Sequence, residues 1–381
     1  MPDNKNHHFV PRFYLRNFSR SESSIDLFNL KSGRLIKGAP IKGQCSRDYL
    51  YGKDARHEKS LSEVEGEIAA MFRSILYHRR LPRPFTAGHF LLCVHVAMQL
   101  LRTQSAGEAL NESVDKMMKE TFRNDPRLNG ENLDDFAFGY DNPSLVTIFH
   151  GMLGFPVLMD LELALIFAPP GTEFITSDNP VVPYNKLMQW RTFGSSTGMA
   201  SKGLQVFLPI WPRITLVMYD RDVYRFGRTK ADSEVWASKE QVHELNVLQA
   251  TSASENVYLF GTDSDIYRVR DHAAKFRRVR KSNVVAFEEK PEPDGSTSQI
   301  IGTSNVDIHT DASLDFLRIH KLASSWLSAF RALRRQPLTV VRDVALLRRF
   351  EAHRDAVMAG RAAADDVIPA VFGRKIVEGT F

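Results

Sequence analysis

Residues 161–182 read LELALIFAPPGTEFITSDNPVV, and it is here that the chain changes its period. Residues 163–168 are a short apolar run, Pro169-Pro170-Gly171 interrupts it, and 173–176 resume an extended pattern that stops at Ser177-Asp178-Asn179-Pro180. Short apolar runs bounded by Gly and Pro are strand signals, because a helix of the same character would need roughly ten or more residues. Downstream, 205–208 and 214–219 repeat the pattern around Trp211-Pro212, 240–251 turn helical and 257–260 make a last strand. Upstream the spacing is helical: 58–80 places Leu61, Val64, Ile68, Phe72, Ile75 and Leu76 on one face, 86–105 is apolar almost all round, and 108–122 and 144–159 follow. Earlier still, 25–30 and 35–41 flank Lys31-Ser32-Gly33-Arg34 as a hairpin, with Gly33 free to take a positive φ. Residues 7–18, HHFVPRFYLRNF, suit a short helix with Pro11 at its start. Strands gathered after a block of helices predict an α+β fold with an N-terminal β-hairpin, a helical layer and a mostly antiparallel sheet.

The composition agrees with a globular chain: of 381 residues, 43% are hydrophobic and 25% charged, which excludes a disordered polyampholyte and a coiled-coil rod. Between 288 and 298 it shifts to acidic residues, Pro, Gly and Ser. Residues 1–285 are therefore expected to form one domain, 286–313 a linker, and 314–381 a basic helical appendage with helices over 314–335 and 338–359. Asp160 and Glu162 interrupt the most apolar segment, 155–170, so no run approaches the ~20 residues of a membrane span. With two cysteines, Cys45 and Cys93, and a polar N-terminus, a soluble cytoplasmic protein is expected. The net charge is +5, yet residues 268–281 alone carry seven basic residues against Asp271. The rest of the chain is thus close to neutral, and a polyanion would have to be held locally.

Charged residues in apolar surroundings are the next signal. At 100° per residue, Glu65 falls about 40° from Leu61, inside the apolar arc, whereas Glu63 and Glu67 fall on the opposite face. A carboxylate facing the core needs a partner, a hydrogen bond or a metal. On the following helix His95, Gln99 and Arg102 form a stripe at i, i+4, i+7, and Arg102 could pair with Glu65 or clamp a phosphate. Asp178 and Asn179 stand at a strand end, where a sheet aims side chains at ligands, although Ser-Asp-Asn-Pro is equally a common turn. The segment HHFVPRFYL is similar to the first segment of HNH nucleases. The rest of that motif departs, because Asn29 follows His8 by twenty-one residues, His57 lies far downstream and no cysteine pairs frame the unit. No P-loop, GxGxxG turn, GxSxG or HExxH is present.

Taken together, HHFVPRFYLRNF, SEVEGEIA (62–69), LLRT (100–103), FITSDNPV (174–181) and FLPI (207–210) resemble the DUF4238 family of uncharacterised, mostly microbial proteins, over about residues 5–270. The resemblance implies that His7, His8, Pro11, Arg12, Tyr14, Glu65, Arg102, Ser177, Asp178, Asn179 and Pro180 belong to one site, without naming a reaction. The expected function is a metal-dependent phosphodiester hydrolase, nuclease-like, acting on nucleic acid. In it His8 acts as general base or ligand, Glu65 and Asp178 bind a divalent ion (Mg²⁺ or Mn²⁺), Asn179 assists, and Arg12 and Arg102 clamp phosphate. Arg277, Arg278, Arg280 and Lys281 are expected to contact nucleic acid. The rivals are a non-catalytic binding module, in which Glu65–Arg102 is a structural pair and Ser177 to Pro180 only a turn, and a hydrolase of a small phosphorylated or nucleotide substrate.

Overall fold

The structure is a computed structural model that describes residues 6–52, 55–123, 125–128, 130–191, 195–229, 232–261, 265–276, 283–291, 297–304, 310–333, 337 and 339–378. In chain order the strands are β1 Asn6–His8, β2 Ser24–Asn29, β3 Arg34–Pro40, β4 Ser46–Asp48, β5 Glu162–Phe167, β6 Thr176–Ser177, β7 Val182–Tyr184, β8 Gln205–Trp211, β9 Ile214–Tyr219, β10 Tyr224–Phe226, β11 Glu234–Trp236, β12 Asn256–Leu259, β13 Asn283–Pro291, β14 Thr297–Ser304 and β15 Leu317–Ile319. The helices are α1 Arg12–Arg16, α2 Ala55–His78, α3 Ala87–Leu101, α4 Gln104–Phe122, α5 Pro143–Gly154, α6 Lys239–Ser252, α7 Ile266–Ala274, α8 Lys321–Arg331, α9 Val344–Met358 and α10 Val367–Phe372. Helices and mostly antiparallel strands occupy separate layers, and the fold is α+β.

The apolar run at 163–168 becomes β5, inside a five-stranded sheet of order β11-β5-β9-β8-β7 in which only the β11–β5 pair is parallel. Its lack of polar alternation has a simple cause: both faces are buried. Leu165, Phe167, Leu208, Leu216 and Met218 face a core shared with α1, α2 and α3. Ala164, Ile166, Phe207, Val217 and Tyr219 face a second core completed by α6 and by Leu314, Phe316, Leu317 and Phe330 from the C-terminal region. A second sheet, β3-β2-β12-β6, contains the expected hairpin, and Gly33 takes φ 67° at its turn. It buries Phe28, Val257 and Leu259 against α6 and α7.

Three local expectations are corrected. The helix read over 86–105 stops at Arg102, because the Thr103 side chain accepts the Ala106 N–H and caps α4. Within the 314–335 reading, Leu317–Ile319 form β15, which pairs antiparallel with β10, and the helix starts only at Lys321. Within 286–313, read as linker, β13 and β14 pair as an antiparallel hairpin. The C-terminal helices do not stand apart from the body. Arg342 donates to Asp160 at 2.6 and 2.7 Å, and Leu346, Phe350 and Val371 pack with Val157. Among the described residues no helix is long and apolar enough to cross a membrane.

Candidate functional site: a cationic cleft beside the first strand

Strand β1 and helix α1 carry the HHFVPRFYL motif, and most of its contacts are structural. Pro11 precedes α1 with φ −59°, the value its ring imposes, and so starts the helix without needing an N–H there. Tyr14, buried, donates to the Pro209 carbonyl on β8 and lies 2.8 Å from Thr176 Oγ1 on β6, which ties α1 to both sheets. His7 is buried, stacks on Tyr51 at 5.4 Å and accepts the Tyr51 N–H at Nδ1. The period-2 geometry of β1 then sends the neighbouring His8 to the other side.

His8 opens on a cleft of about 350 Å³ between β1, α1 and α2, lined also by Arg12, Arg16, Lys42, Tyr51 and Glu65. Its Nε2 lies 3.2 Å from the Lys42 carbonyl, which can only accept, so the neutral ring carries its proton there and presents Nδ1 as a base. Burial first, and the Arg12 charge second, hold the imidazole below the ordinary histidine range, so it is neutral at pH 7. Arg12 is exposed and has no ion pair among the described residues. Arg16 follows it by one helical turn and donates to the Glu22 carbonyl at 3.3 Å.

Across the cleft, Glu65 accepts from Arg102 Nη2 at 2.7 Å; their side chains are 25% and 2% exposed. The helical phase of Glu65 thus signalled a real partner. The same Nη2 donates to the His8 carbonyl at 2.6 Å, and Gln99 donates to the Phe9 carbonyl at 2.8 Å. The stripe on α3 therefore grips the backbone of the first segment, and its three side chains are buried. Burial opposes the Arg102 charge, but Tyr51 and Glu65 outweigh it and hold the guanidinium above its ordinary range. His95, the third member, sits among Phe13, Tyr14 and Phe72.

Asp178 and Asn179 do not reach this cleft, contrary to expectation. The Asp178 carboxylate accepts three backbone N–H groups, from Ser254 at 2.7 Å, Glu255 at 2.7 Å and Asn256 at 2.9 Å. Asn179 donates to the Ser252 carbonyl and to Ser254 Oγ, and Gln249 binds both Ser177 Oγ and the Asn179 carbonyl. The tetrapeptide fastens β6 to the end of α6 and the start of β12, where buried amides would otherwise be orphaned. The expected metal ligands His8, Glu65 and Asp178 are consequently not assembled. Glu65 is taken by a guanidinium, Asp178 by amides, and His8 stands beside Arg12, so this donor set does not suit a hard divalent ion.

Arg277, Arg278, Arg280 and Lys281 lie outside the described residues. Sequence reading missed Arg16, Lys42 and Tyr51. Only Arg16 carried a usable signal, the i, i+4 spacing from Arg12. Cys45 and Cys93 are buried free thiols whose ionisation burial pushes up, so neither is a nucleophile. A wider cleft of about 970 Å³, lined by Tyr219, Arg225, Arg318 and Lys321 among others, contains none of the motif residues.

Residues 6–260 match the family model described as "Protein of unknown function (DUF4238)". Comparison with curated proteins and with solved structures returned no match.

Proposed function

Since the chain belongs to the DUF4238 family, whose description names no activity, its function has to be read from the cleft, and we propose that the cleft takes a phosphate diester of a nucleic acid or nucleotide. One observation carries this reading. Among the described residues, a neutral histidine and an arginine without an ion pair share a cleft with Arg16 and Lys42, and the one carboxylate lining it is already neutralised by Arg102. The result is a local excess of positive charge with a proton acceptor inside it, which suits an anionic ester. His8 Nδ1 accepts a proton from the attacking water as its oxygen bonds to phosphorus. The phosphorus–oxygen bond to the leaving group breaks, and the His8 imidazolium returns that proton to the leaving oxygen. Arg12 balances the charge gathering on the phosphoryl oxygens. This is a phosphodiester hydrolase without a metal held by the motif residues.

The second reading is a non-catalytic module that binds the same phosphate, and the Glu65–Arg102 pair favours it because those two charges are already engaged with each other. Labelled single-stranded RNA, single-stranded DNA and dinucleotides incubated with the protein, with and without chelator, separate the two. Cleavage that survives chelator and is lost in His8→Gln supports hydrolysis. Binding weakened by Arg12→Gln with no cleavage supports the module, and neither binding nor cleavage sinks both. For the basic segment, replacing Arg277, Arg278, Arg280 and Lys281 by Gln should flatten a log K against log salt slope by about 3 to 4 if they contact about four phosphates. We also place the protein in the cytoplasm, where two buried free thiols stay reduced.

A further inference from the structure

A chain of titratable side chains runs across three elements that line no part of the cleft. His243 and Glu244 are neighbours on α6, Asp265 and His272 lie at the start and last turn of α7, and Asp311 precedes β15. His243 Nδ1 is 3.1 Å from Asp265 Oδ2, His243 Nε2 is 3.2 Å from His272 Nδ1, and His272 Nε2 is 3.2 Å from Asp311 Oδ1. The two rings stack with centroids 5.4 Å apart.

These distances fix a polarity. A carboxylate accepts, so Asp265 draws the His243 proton to Nδ1, and neutral His243 accepts at Nε2. A neutral His272 then donates from Nδ1, which leaves the lone pair on its Nε2. That lone pair faces a carboxylate oxygen, one acceptor against another at 3.2 Å. Glu244 adds to the conflict, because its Oε2 is buried without a hydrogen-bond partner among the described residues. Ligand atoms of Glu244, His272 and Asp311 all lie within 4.8 Å of one another. Lys186 does not resolve it: its ammonium donates to the Ala312 carbonyl at 2.7 Å and forms no ion pair with either acid among the described residues.

We propose that Glu244, His272 and Asp311 bind a divalent transition-metal ion, with His243 and Asp265 orienting His272. A cation converts the acceptor–acceptor contact into two metal bonds. Ligands about 2.1 Å from an ion sit up to roughly 4 Å apart, so a small movement closes the site. Asp311 is 67% exposed and free to make it. A metal-bound histidine ordinarily donates its other ring N–H to a supporting acceptor, and here that acceptor is itself held by a carboxylate. One imidazole with two carboxylates selects Zn²⁺, Mn²⁺ or Fe²⁺ over Ca²⁺ or Mg²⁺, and three protein ligands leave a position for water or a substrate atom. The rival is a second proton between His272 and Asp311, an imidazolium–carboxylate pair that takes no metal.

The test uses the untagged full chain, freed of metal by chelator and titrated with Zn²⁺ and Mn²⁺ by calorimetry, with Co²⁺ absorption reporting ligand type. One equivalent should bind, and Asp311→Asn and Glu244→Gln should each weaken it at least about tenfold. Asp265→Asn, which removes no ligand, should weaken it about 10- to 100-fold. His272→Gln should remove the nitrogen-ligand signature from the Co²⁺ spectrum. If that variant fails to fold, Asp311→Asn decides, since its side chain is mostly in water. Absence of stoichiometric binding, or equal affinity in wild type, Asp311→Asn and Glu244→Gln, overturns the proposal.

Discussion

Glu65 and Arg102 show how one buried charge dictates another. Arg102 is nearly inaccessible while Glu65 keeps a quarter of its surface in water, so losing either partner should not cost the same. Glu65→Met strands a buried guanidinium and should destabilise by about 3 kcal/mol or more. Arg102→Met leaves a carboxylate that can rehydrate, and should cost less. The double variant should recover part of the loss, and denaturant melts of all three check this ordering. Asp178 belongs to the same scale. Asp178→Asn turns an amide N–H₂ toward three backbone donors and should cost about 2–4 kcal/mol, with ligand affinity at the His8 cleft unchanged. An affinity loss matching that of Arg12→Gln would instead return Asp178 to the site.

Helix α3 carries the clearest pH signal. Burial pushes His89 down to about 4, and burial followed by the Arg102 charge pushes His95 down to about 3. Both folded values lie below the unfolded value of about 6.5, so the unfolded chain binds more protons as the pH falls. Stability from these two histidines is therefore intact above about pH 6.5 and is lost as the pH drops toward 4, by about 1.4 kcal/mol per pH unit each. His89→Asn keeps an acceptor for the Phe85 N–H and should remove about half of that combined slope. Denaturant unfolding at pH 7, 6 and 5 measures it, and an unchanged slope would mean that His89 is not the group titrating.

For the whole molecule, residues beyond the family match complete the core of the matched region. The match ends at residue 260, but the second face of the main sheet is covered by Leu314, Phe316, Leu317 and Phe330, and Arg342 binds Asp160 together with the Met199 and Ser201 carbonyls. A chain ending at residue 285 exposes that face and should aggregate or bind a hydrophobic dye, whereas the full chain should not. In the full chain, Arg342→Met should cost about 3–5 kcal/mol by leaving Asp160 half-buried and alone. Thermal melts check the second expectation, and a stable, dye-silent 1–285 fragment would refute the first.

Local pattern determined much of this protein. The strand run at 163–168, the turn at Gly33, the helices around Ile68 and Leu92, and the inward phase of Glu65 all follow from side-chain period and backbone preference, which act within a few residues. Tertiary structure alone decided the rest. Asp178 finds its amides 76 to 78 residues away, Arg102 reaches Glu65 and His8 on separate elements, and His272 meets His243 and Asp311 from opposite directions. A strand-end aspartate reads alike whether it faces a ligand or a buried loop. Hydrogen-bond saturation chooses between them, and it depends on which distant backbone groups the packed sheets leave without a partner.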